Sequence, residues 1–149
     1  MNKKKVGLYL IIFVMGGMSA VMNSSNGFLS GYIGLIESVL FVHLVGLVMA
    51  TILFITLGKK ERNSIIEVFK RKPYIFLGGV IGSVAVISVS YGIQNIGVFL
   101  VSMGLITGQF FSSLIIDFNG LFGFKKVRIT KAKVASVVVM ALGVIMISL

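Results

Sequence analysis

The chain has 149 residues, 57% of them apolar and 12% charged, with 14 Lys and Arg against 4 acids for a net charge of +10. A soluble domain of this length could not hide so much apolar surface, so a bilayer must be its solvent, and the basic excess lacks the polar, water-exposed scaffold that nucleic-acid binding needs. With no cysteine there is no disulfide, thiolate catalysis or Cys-based metal site, and one His with four acids leaves little material for an enzyme; no cofactor is expected.

The chain begins MNKKK, then VGLYLIIFVM and GGMSA, which imitates a secretory signal. Further apolar segments follow in place of a soluble domain, so this stretch is read as a retained first helix, about Val6 to Met22. Residues 23–33, beginning NSSNG, are uncharged and polar; they read either as an outer loop or as a broken helix lining a cavity. A second helix is expected at about Gly34 to Leu57. A third runs from about Tyr74 to Ile93, opened by Pro73 where proline is tolerated. After a polar break at Gln94 to Gly97, the fourth runs from about Val98 to Ile116. The fifth, Ala132 to Leu149, has Lys131 and Lys133 snorkelling at its inner end. Runs such as VAVISV and KVASVVVMALGVIMISL lack the period-two alternation that a closed barrel demands. The expected fold is one all-α integral membrane domain over residues 1–149, with five transmembrane helices.

All fourteen basic residues fall in three clusters, Lys3 to Lys5, Lys59 to Lys72 and Lys125 to Lys133. Basic residues in short loops stay cytoplasmic, and one topology satisfies every cluster: N-terminus inside, C-terminus outside. The same residues attract anionic lipid headgroups. Tyr9 and Tyr74 then fall at the inner boundary and Tyr32 and Tyr91 at the outer one, the level that an amphipathic ring prefers.

Glycines Gly78 and Gly82 form a GxxxG pair, as do Gly104 and Gly108, and Gly16 with Ala20 is a related small-residue pair. In lipid such small faces let helices approach closely, so they predict helix packing and an oligomer interface. Polar candidates are few. Ser102, Gln109, Ser113 and Asp117 fall along one face of the fourth helix, with Gln109 within roughly 3 Å of the span's centre at 1.5 Å per residue. A buried amide needs partners, so this face either lines a solute path or holds helices together. Glu37 lies roughly 13 Å from the centre of the second helix. It either favours the helix dipole or exchanges coupling protons. His43, on a face with Gly46 and Ala50, is either structural or part of a pathway. Asp117 closes the fourth helix near Lys125 and Lys126, at the surface or in the path.

Several stretches, NGFLSGYIGLIESVLFVHLVG, KPYIFLGGVIGS, IGVFLVSMGLITGQFFSSLIIDFNGLFGF and the closing ALGV, resemble the YdcZ family over nearly the whole chain. That family, described as inner-membrane exporters, is a small branch of the drug/metabolite transporter superfamily. Asn26, Pro73, Gly79, Gly97, Gln109, Asp117 and Gly143 match residues typical of it. Met22 stands where many members have Gln, four residues before the Asn. The resemblance implies half of a two-part bundle whose relatives carry two inverted five-helix halves with the site between them. It leads to the expectation of a half-size, ion-coupled exporter of a small organic solute or metabolite in a bacterial cytoplasmic membrane. Gln109, Ser113, Ser102 and Asn26 would contact the solute, with Glu37 or His43 handling protons. One half cannot enclose a path, so an oligomer is expected, with an oppositely oriented homologous half as the favoured partner because the charge bias is total. A non-transporting membrane subunit of a larger complex is the rival reading.

Overall fold

A computed structural model describes residues 3–57, 62–123 and 125–148. Lys59 and Lys60 of the middle basic cluster, and Leu149 at the end of the expected fifth span, lie outside the described residues. Every regular element among those described is helical: α1 Lys3–Ile33, α2 Leu35–Leu57, α3 Arg62–Arg71, a 3₁₀ segment Pro73–Leu77, α4 Gly78–Asn119, a short 3₁₀ turn Leu121–Gly123, and α5 Lys131–Ser148. Among the described residues, three stretches, Lys5–Ile33, Leu35–Leu57 and Pro73–Asn119, are long and apolar enough to cross a membrane. The chain separates into two compact units, Met1–Asn95 and Ile96–Leu149.

The first helix is longer than the sequence suggests: the polar stretch at 23–33 is neither a loop nor a broken helix but the last turns of α1. Its hydroxyls bond back to the helix itself, Ser24 Oγ to Ala20 O at 2.8 Å and Ser30 Oγ to Gly27 O at 2.8 Å, so polarity there does not require water. Gly34 ends the helix at φ 96°, a conformation that favours glycine. Its N–H donates to Ser30 O and its carbonyl accepts from Ser38 N–H, both at 3.1 Å, so one residue closes α1 and opens α2.

The basic stretch between the second and third expected spans contains a ten-residue helix, α3, which the charge pattern alone concealed. Arg71 pairs with Glu67 one turn earlier at 2.8 Å, and Phe69 meets Phe76 of the 3₁₀ segment edge-on at 5.3 Å. Pro73 stands at the start of that segment, as expected of a proline in a first turn. Helix α4 is broken once, at Gly97, with φ 82° and ψ 165°. Thr130 caps α5: its Oγ1 accepts from Lys133 N–H at 3.4 Å and its carbonyl from Val134 N–H at 3.2 Å.

Burial is inverted relative to a soluble protein. Val39 is the one buried hydrophobe among the described residues, whereas Asn26, Ser30, Ser38 and Ser90 are all buried and dozens of large apolar side chains are exposed. Such an exterior is stable only where hydrocarbon or another chain covers it.

Candidate functional site

Within the first unit the buried polar residues lie on α1, on α2 and on the part of α4 before Gly97. Gln94 Nε2 donates to Ser30 Oγ at 2.6 Å, which joins two polar stretches 64 residues apart. Ser30 in turn donates to Gly27 O. Beside this bond a Cβ added to Gly27 would lie 2.6 Å from Ile93 Cγ2, so α1 and α4 approach closely here. Ser90 is 0% exposed and its Oγ has no hydrogen-bond partner among the described residues. Ser38 is satisfied within α2 by Leu35 O at 2.9 Å.

His43 ties α2 to α4. Its Nδ1 lies 2.8 Å from Val39 O, which can only accept, so Nδ1 carries a hydrogen. In the neutral ring Nε2 is then the acceptor, and it faces Ser83 Oγ at 3.2 Å. Ser83 Oγ also lies 3.1 Å from Gly79 O, and one hydroxyl hydrogen cannot serve both fully. Ser83 thus links His43 of α2 to the backbone of α4. Glu37 is exposed, and its carboxylate folds against Gly34, where a side chain would collide with it.

In the second unit, Ser102 is half-buried while Gln109 and Ser113 are exposed. Ser113 lines an open groove of about 190 Å³ between α4 and α5, together with Phe110, Leu114, Asp117, Lys133 and Ser136. Asp117 Oδ2 and Lys133 Nζ are 3.8 Å apart, at the loose limit of an ion pair, and both side chains are more than 40% exposed. The Asp117 carbonyl accepts from Val127 N–H at 2.9 Å, which holds the basic segment beside it. The opposite flank of the α4–α5 contact is apolar: a groove of about 310 Å³ with Phe111, Ile115 and Phe118 on one wall and Val134, Val137 and Val138 on the other.

The expected packing glycines Gly78, Gly82, Gly104 and Gly108, and Gly16, meet nothing within 4 Å of an added Cβ, so their faces are open in the single chain. Gly27, by contrast, is in close helix contact. Sequence reasoning also passed over Ser30, Ser83, Ser90, Gln94 and Ser136. Ser30 and Gln94 were visible as the edges of the two polar breaks; the others are single hydroxyls in apolar runs.

These features define a helical membrane protein with its polar groups in helix-lined contacts. The family model described as "Putative inner membrane exporter, YdcZ" matches residues 7–146, and the chain belongs to that family. It is an inner-membrane protein, as the resemblance implied. No curated protein and no solved structure matches the chain.

Proposed function

We propose that the chain is a half-size exporter that moves a small organic solute out of a bacterial cytoplasm, driven by protons, as an oligomer with an oppositely oriented homologous half. Family membership supports the export part of this reading. The helical break at Gly97 supports five crossings: Pro73–Asn119 is 47 residues, about 70 Å if continuous, against a hydrocarbon core of about 30 Å. With two crossings there and α5 as the fifth, all basic clusters lie inside and the C-terminus outside. The open glycine faces are available to the partner half. Gln109 and Ser113, exposed in the single chain, would face the solute path, and Asn26 would contact solute at the outer end. Between the two coupling candidates the geometry favours His43, whose ring meets Ser83 of α4 within the span; Glu37 lies at the helix start against Gly34.

A non-transporting subunit also accounts for the open glycine faces. Replacing the polar face of α4, Gln109→Leu with Ser113→Ala, separates the two readings. An exporter loses solute release at least tenfold, about 1.4 kcal/mol or more in the transport barrier, while the oligomer still purifies intact. Loss of the complex with no separate defect in release would favour the subunit.

A further inference from the structure

The polar groove of the second unit is built from two charges and two hydroxyls on two helices, and neither charge is satisfied at close range. Asp117 is the single acid in residues 96–149, beside Lys125, Lys126, Arg128, Lys131 and Lys133. At 3.8 Å, Asp117 and Lys133 neutralise each other without a short hydrogen bond, and both reach solvent. Ser113 and Ser136 flank them in the same groove. Ser136 spends its hydrogen on Ala132 O at 2.9 Å and keeps its lone pairs as acceptors.

We propose that this groove binds a small zwitterion, whose ammonium takes the place of Lys133 at Asp117 and whose acid group takes the place of Asp117 at Lys133. The charges decide the class. A cation at Asp117 displaces Lys133, and an anion at Lys133 displaces Asp117, each making one contact for the one it breaks. A zwitterion exchanges one loose internal pair for two new ones. An ammonium with three hydrogens finds the carboxylate and the serine oxygens as acceptors. The groove, about 190 Å³, is smaller than the 300–1,000 Å³ usual for drug-sized ligands and has room for a small solute. This deepens the export reading, on which it rests, by naming the substrate class.

The test uses the protein purified with any native partner and placed in nanodiscs lacking phosphatidylethanolamine. Binding of alanine is compared with binding of its cationic analogue ethylamine and its anionic analogue propionate. Alanine should bind about tenfold more tightly than either, with the order lost selectively in variants. Lys133→Gln should abolish the preference over ethylamine, and Asp117→Asn the preference over propionate. The exchange Asp117→Lys with Lys133→Asp, which keeps a pair, should hold alanine within about threefold of wild type. Equal binding of all three probes would overturn the proposal. So would loss of alanine binding in the exchange variant as complete as in the single variants, at unchanged helical content. In discs that do contain phosphatidylethanolamine, that lipid is the competing zwitterion. Charge-dependent retention of it, with no alanine preference in its absence, would overturn the solute assignment in favour of a headgroup. If cells depend on the chain for metabolite release yet the three probes bind alike, the zwitterion site is wrong and export stands. Selective alanine binding without release would leave the site and remove export.

Discussion

Replacing Gly97 with valine is expected to destabilise the protein by about 3 kcal/mol, whereas Gly143→Val should cost under about 1 kcal/mol. Gly97 holds φ 82° and ψ 165°, a region that only glycine visits readily, and no neighbour stands within 4 Å of an added Cβ. The penalty is therefore backbone strain, not collision. A branched side chain can relieve the strain only by letting the helix run through. That would make one rod of about 70 Å, which no single crossing of a bilayer accommodates. Gly143 lies inside α5 with the same open surroundings, so it controls for the added side chain. Unfolding in mixed micelles gives the free energies. Labelling of a cysteine placed at Lys125, from each side of the membrane, shows whether the segment after Gly97 still crosses. Equal stability of the two variants would remove Gly97 as the device that divides the 47-residue stretch.

His43→Gln is the second large effect. Glutamine is close to histidine in length and keeps a donor and an acceptor for Val39 O and Ser83 Oγ, so the α2–α4 tie survives with a loss of about 1 kcal/mol or less. It cannot take up a proton, so it cannot serve as the coupling group. Under the proposed proton coupling, export against a solute gradient should fall at least tenfold, while downhill exchange of solute across the membrane persists. Ser83→Ala, which removes the group that the His43 ring meets on α4, should reproduce part of that defect. If His43→Gln accumulates and releases solute as wild type does, His43 is a structural tie and the coupling group lies elsewhere.

The sequence shows its membrane character and the positions of four helix boundaries because those follow from local chemistry. Lys and Arg cannot enter hydrocarbon, Pro73 opens a helix, and long apolar runs have one stable solution in lipid. Residues 23–33 misled for an equally physical reason. Asn and Ser signal a loop when water is their only partner, but here Ser24 and Ser30 bond to their own helix and Asn26 and Ser30 are buried against neighbours. Helix α3 was hidden because a basic cluster reads as a solvated link. Its Glu67–Arg71 pair and the Phe69–Phe76 contact become meaningful only once the chain is folded. For the candidate site, helical spacing put Gln109, Ser113 and Asp117 on one face, and Ser113 and Asp117 line one groove. The Ser30–Gln94 bond spans 64 residues and the His43–Ser83 bond 40, and no periodicity encodes either. Lys133 was expected to snorkel, yet it also meets Asp117 across the groove.

Metabolite release by intact cells tests the export account most directly. Cells lacking the protein are compared with cells restored with wild type and with Gln109→Ala at equal membrane abundance, measuring solutes inside and in the medium. The account predicts that at least one solute accumulates inside without the protein, that wild type releases it, and that Gln109→Ala does not. Identical profiles in all three strains across several growth conditions would contradict it.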